Sequence, residues 1–138
     1  MFDPNTEFGQ RVTRRLRDEE VIWLTTVRSD LTPQPTPVWF LWDGETFLIY
    51  TLPGSQKLSN LAYSPRVALH LNSNASGGDV IVFYGVAVID ASTPAAIDVP
   101  PYLEKYRKGI GEINSTPERF SAEYSVPVRV KPTHMHGF

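Results

Sequence analysis

Prolines at positions 33, 35 and 37 constrain this chain more than any other feature, because they fall at alternate positions of one strand-like run that continues to Trp42. Residues two apart in a strand direct their backbone groups to the same edge, and proline has no amide hydrogen to donate. One edge therefore lacks donors at three successive positions and cannot pair normally with a neighbour. The opposite edge keeps the amides of Gln34, Thr36 and Val38. Such an edge serves either as protection against aggregation or as a gap in a barrel wall, a slot beside intact polar backbone for a flat heterocycle.

The surrounding pattern is one of strands. Val21–Val27 is apolar on both faces at its start, and a turn over Ser29-Asp30 leads to the Gln34–Trp42 run. Asp43-Gly44 is a short hairpin signal, which starts the next strand near Thr46 and ends it near Thr51. Arg66–Leu71 alternates, Asp79–Ile89 is a longer strand with Gly85 in its middle, and Val126, Val128 and Val130 alternate near the end. Six strands with few helices predict a mainly β chain with flanking helices (α+β), an antiparallel barrel spanning residues 1–138 as one domain. Phe8, Val12 and Leu16 make Thr6–Arg17 an amphipathic helix whose Arg11, Arg14, Arg15 and Arg17 form a wet face. Thr93-Pro94 and Thr116-Pro117 read as helix starts, and Tyr102–Lys108 as a short helix stopped by Gly109 and Gly111. This insertion is expected to lid a pocket or pad a dimer.

The strand ending at Thr51 runs into a candidate anion site. Leu52-Pro53-Gly54 must turn, Ser55 is a natural helix cap, and Leu58, Leu61 and Ala62 form a stripe to pack on a sheet before Ser64-Pro65 ends the helix. Unpaired amides at a helix start carry roughly half a positive charge, which suits a phosphate. Lys57 adds a full charge, Thr51 and Ser55 add hydroxyls, and Asn60 shares a flank with Lys57. The plainer alternative is a capped helix with a solvated lysine.

A formal net charge of −2 gives no bias toward nucleic acid, and without cysteines any redox chemistry must be borrowed from a cofactor. No apolar run reaches the roughly 20 residues of a membrane span, and Met1-Phe2-Asp3-Pro4 lacks a signal-peptide pattern, so a cytoplasmic protein without membrane contact is expected. His134 and His136 would point the same way from an extended segment, yet no cysteine or acidic cluster completes a metal site, and His70 is isolated. That C-terminal tail is expected to pack near a partner subunit. Neither a Gly-rich nucleotide fingerprint nor a Ser-His-Asp arrangement is evident.

From Phe8 to Ile89, the order of helix, strand, P-x-P-V-W-F strand, D-G hairpin, Thr-ended strand, G-S-x-K-L-x-N-L helix and S-P-R-V strand resembles the split β-barrel flavin and deazaflavin oxidoreductases related to pyridoxamine phosphate oxidase. Within that group the P-V-W-F and K-L-x-N-L segments most resemble the coenzyme F420-dependent branch. The resemblance implies a six-stranded split barrel of the FMN-binding type and a homodimer with cofactor sites at the subunit interface. It implies that Thr51, Ser55 and Lys57, with Asn60 close by, hold the cofactor phosphate, and that the ring lies along Gln34, Pro35, Thr36, Pro37 and Val38. It implies further that a second subunit closes the pocket with an aromatic, for which Tyr84 and Phe83 are the candidates, and that hydride passes to a small organic substrate, with Tyr84 or a water the candidate proton donor and no catalytic residue assigned. The implied cofactor is F420, with FMN as the alternative. An FMN-dependent oxidase or reductase, and a non-catalytic protein that binds the cofactor or haem, are the competing readings. The arginine-rich phosphate motif and C-terminal segment of the pyridoxamine phosphate oxidases themselves are missing, which argues against that activity.

Overall fold

Thr6 starts the first helix by accepting the Gly9 amide at 3.0 Å on its side-chain oxygen, and α1 (Glu7–Asp18) buries Val12 and Leu16. The computed structural model describes residues 1–138. The expected wet arginine face is only partly wet. Arg15 bonds the carbonyls of Asp79 (2.7 Å) and Asn72 (2.6 Å) and pairs with Glu19, while Arg11 pairs with Asp79 at 3.3 Å, so two of the four arginines tie α1 to the loop before a distant strand.

Seven antiparallel strands, one more than expected, follow: β1 (Ile22–Val27), β2 (Pro33–Val38), β3 (Leu41–Trp42), β4 (Phe47–Thr51), β5 (Arg66–His70), β6 (Ile81–Ile89) and β7 (Val126–Gly137). Their order across the sheet is β2-β1-β5-β6-β7-β4-β3. The Gln34–Trp42 run divides because β2 and β3 form the two opposite edges of this sheet, joined only by Trp39 and Phe40. Three peptide steps of 3.8 Å bring the edges within about 11 Å. The sheet therefore curls into a half-barrel, split between β2 and β3.

The prolines act at that split, though not as the sequence suggested. Pro33, Pro35 and Pro37 lie opposite Val27, Thr25 and Trp23 of β1 and cannot donate. The ladder bonds to β1 therefore come from Gln34, Thr36 and Val38, paired with Thr26, Leu24 and Ile22. Those amides are consumed inside the sheet and do not line an open slot. The free edge instead carries the proline carbonyls, acceptors without donors.

The barrel interior is filled by Ile22, Leu24, Phe40, Phe47, Ile49, Leu69, Ile81, Phe83, Val128 and Val130, closed by α1. Phe83, a candidate for reaching a second subunit, belongs to this core and packs edge-on against Phe47 at 5.0 Å. Gly85 sits at a bulge between β6 and β7, where a Cβ would lie 2.4 Å from the Lys131 carbonyl. His134-Met135-His136, expected as a tail, is part of β7.

After β6 the chain builds a second layer from a short 3-10 turn (Ala96–Asp98), α3 (Pro100–Glu112) and α4 (Pro117–Glu123). Thr93-Pro94 does not start a helix: the Thr93 hydroxyl accepts from Arg129 at 3.1 Å, and α3 begins at Pro100. Thr116 does cap α4, accepting the Arg119 amide at 3.1 Å. The stop expected at Gly109 and Gly111 is absent, and α3 runs through both. Gly109 lies against the Trp39 ring, 3.2 Å from where its Cβ would be. Packing there outweighs a helical glycine's cost of about 1 kcal/mol.

Candidate functional site

The second layer does not close completely on the barrel. Between them lies a cavity of about 460 Å³, walled by β2, β4, the start of the helix α2 (Gln56–Tyr63), and α3 and α4. Its size suits a small-molecule site. Thr51, Ser55 and Lys57 line it on one side, with Pro37 and Val38 near them. Val21, Leu52 and Ile113 add apolar wall, and Trp39, Tyr50, Tyr102, Phe120 and Tyr124 make the rest aromatic.

The polar side is short of partners. Ser55 stands at the N-cap position of α2 but makes no side-chain cap bond; its hydroxyl lies 3.3 Å from that of Thr51. The amides of Gln56 and Lys57 have no acceptor. Lys57 forms no ion pair. Thr51, Ser55 and Lys57 bring two hydroxyls, one free helix-start amide and an ammonium to one side of the cavity without a counter-charge, a donor set matched to a phosphate.

Of the other residues singled out in the sequence, Gln34, Pro35, Thr36, Asn60 and Tyr84 do not line this cavity. Asn60 does not share the free flank of Lys57, because it is buried and its amide is fully engaged. It donates to the Thr26 hydroxyl at 2.9 Å and the Gln34 side-chain oxygen at 2.8 Å, and accepts from Gln56 at 2.9 Å. It braces α2 against β1 and β2, behind the phosphate-type donors. Ala62 of the expected stripe is exposed, while Leu58 and Leu61 do pack on the barrel. Tyr84 projects from the outer face of β6, 39% exposed, and stacks on His134 at 4.7 Å. No group of three or more metal-ligating side chains occurs.

The aromatic wall escaped the sequence reading. Trp39 stacks on Phe120 at 5.4 Å and on Tyr106 at 4.7 Å, Phe120 on Tyr124 at 4.6 Å, and Tyr50 meets Tyr102 edge-on at 5.0 Å. A usable signal was present: Tyr102 and Tyr106, then Phe120 and Tyr124, recur one helical turn apart and require a cover. Burial pushes Tyr50 up to about 12, and pushes Tyr102 and Tyr106 further still. All three hydroxyls therefore stay protonated through the ordinary pH range. The Tyr50 hydroxyl donates to the Pro94 carbonyl at 2.7 Å.

A model of the pyridoxamine 5'-phosphate oxidase family matches residues 8–133. Among curated proteins none matches the chain in sequence. Solved structures share the fold. An F420 reductase is 25% identical, with a TM-score of 0.66 over 89% of this chain and 94% of its own. A conserved hypothetical protein from Mycobacterium tuberculosis is 24% identical, with a TM-score of 0.72 over 94% of this chain and 82% of its own. HutZ, the heme storage protein from Vibrio cholerae, is 12% identical, with a TM-score of 0.68 over 96% and 95%.

Proposed function

The chain belongs to the pyridoxamine 5'-phosphate oxidase family, and from that premise we propose that it is an oxidoreductase that holds coenzyme F420, or alternatively FMN, in the cavity between barrel and second layer. The observation that carries this reading is the donor set of Thr51, Ser55 and Lys57, without a counter-charge, on an aromatic cavity of about 460 Å³. Either cofactor supplies hydride chemistry. The chain's part is to bind and orient: Lys57, Ser55 and Thr51 take the phosphate, while Pro37 and Val38 lie beside the ring. The free edge of β2 offers that ring only carbonyl acceptors, so a ring N–H can bond there and a ring carbonyl cannot. The aromatic wall excludes water from the reacting face. The F420 reductase among the structural relatives supports the deazaflavin over FMN. HutZ raises a haem reading; the cavity wall holds no histidine, cysteine or methionine, and the phosphate-type donors at Thr51, Ser55 and Lys57 favour the redox ring.

A second copy of the chain belongs on the outer face of β6, where Tyr84, Val86 and Val88 are between 38% and 52% exposed. Sedimentation velocity tests the dimer.

Titrating the protein with F420 and with FMN, followed by fluorescence, tests the cofactor. Lys57→Ala should weaken binding of the preferred one by about 1.5–3 kcal/mol, the worth of a charge-assisted hydrogen bond. An affinity indifferent to Lys57 would remove the phosphate from this corner.

A further inference from the structure

The aromatic side of the cavity holds a hydrogen-bond donor that the phosphate reading leaves unused. Tyr102 is 0% exposed and forms part of the cavity wall, yet its hydroxyl has no hydrogen-bond partner. Its neighbours do not share this fate. The Tyr50 hydroxyl is taken by Pro94, and that of Tyr106, behind the wall, by Glu20 and Phe40. A buried hydroxyl kept from both protein and water is a standing cost, on the order of 1–3 kcal/mol. Folds retain few such groups, and each calls for a reason.

We propose that Tyr102 is the specificity-determining residue of a substrate compartment formed with Trp39, Tyr50, Phe120 and Tyr124, and that its hydroxyl donates to a neutral carbonyl oxygen of a planar aromatic ligand. The inference rests on the cofactor reading for the compartment's role in reduction, but its ligand chemistry comes from the wall itself. Flat ring faces accept a flat ligand. Lys57 is the sole charged residue around the cavity and the phosphate claims it, so a carboxylate substrate would find no counter-charge. Tyr102 carries the fully buried hydroxyl on this wall that is left without a partner, and a carbonyl oxygen is a group that accepts from it. The hydroxyl is covered in this structure, where Tyr50, Tyr106 and Phe120 pack against the Tyr102 ring, so the ligand reaches it on a rearrangement of this wall. Because burial keeps the phenol protonated, the donor persists at any ordinary pH.

Two isosteric probes separate the carbonyl from the ring: 2-acetylnaphthalene and 2-isopropenylnaphthalene, in which a CH2 replaces the oxygen. Ligand-observed NMR titrations should show the wild-type protein preferring the ketone three- to tenfold, and Tyr102→Phe binding the two equally. The melting temperature of Tyr102→Phe should not fall, because its hydroxyl has no partner to lose. Equal binding by the wild type, or a preference that survives Tyr102→Phe, overturns the assignment. If the ketone preference depends on Tyr102 while neither cofactor binds, the compartment stands and the redox reading fails.

Discussion

The hydroxyl of Tyr106 accepts the amide hydrogen of Phe40 at 2.7 Å and lies 2.8 Å from the carbonyl oxygens of Phe40 and Glu20. Phe40 occupies the crossing where the chain leaves one edge of the sheet for the other, so its backbone lacks a strand partner. A side chain 66 residues later supplies one. Tyr106→Phe strands a buried amide, and urea unfolding should register a loss of about 1–3 kcal/mol. An unchanged midpoint would show that the crossing is held by other contacts.

One turn earlier on α3 the same substitution should act in the opposite direction. The Tyr102 hydroxyl has no partner to lose, so Tyr102→Phe removes only an unmet polar group. The expected outcome is a ligand-free protein as stable as wild type or up to about 1 kcal/mol more so. A marked drop in melting temperature would mean that the hydroxyl is satisfied.

Lys57 and Asn60 separate in a similar way. Asn60→Ala breaks bonds to Thr26 and Gln34 and should cost about 1–3 kcal/mol of stability without ligand. Lys57→Ala, losing no partner, should stay within about 0.5 kcal/mol of wild type. Thermal melts of both variants measure this. Comparable losses would undo the division between brace and binding group.

Lys105 carries a pH signature. Its ammonium donates to the carbonyls of Phe40 (3.0 Å) and Leu16 (3.2 Å) over the Phe40 ring, and burial lowers it from 10.5 to about 8 against the upward pull of Glu20, Asp18 and Glu19. Below pH 8 it is charged in folded and unfolded chains alike, and the folded state bears the full burial cost. Between about 8 and 10.5 only the unfolded chain keeps the proton, so stability rises with pH across that window. Comparing wild type with Lys105→Met cancels other titrations. The difference in unfolding free energy should move in the wild type's favour from about pH 7.5 to 10, and parallel curves would show that the amine titrates normally.

Features carried by a few adjacent residues were legible in the sequence. The helix at Thr6, the Asp43-Gly44 hairpin, the cap at Thr116, the turn into α2 and the strand alternations all rest on short-range sterics and hydrogen bonds. They lie close to where the residues placed them. The helix running on past Gly109 was not legible, because the glycine's local penalty is visible and the Trp39 ring that overrides it is 70 residues away.

Alternating prolines by themselves dictated that one strand would have an edge unable to donate, and a turn followed by Ser-x-Lys dictated a helix start rich in donors. Which neighbour used the remaining amides, where the run to Trp42 broke, and which aromatic rings wall the cavity beside Lys57 were decided only by tertiary structure. Those outcomes depend on how distant strands register and on how a curled sheet brings its two edges together. The pairing energy involved is shared among segments far apart in the chain, and no local pattern records it.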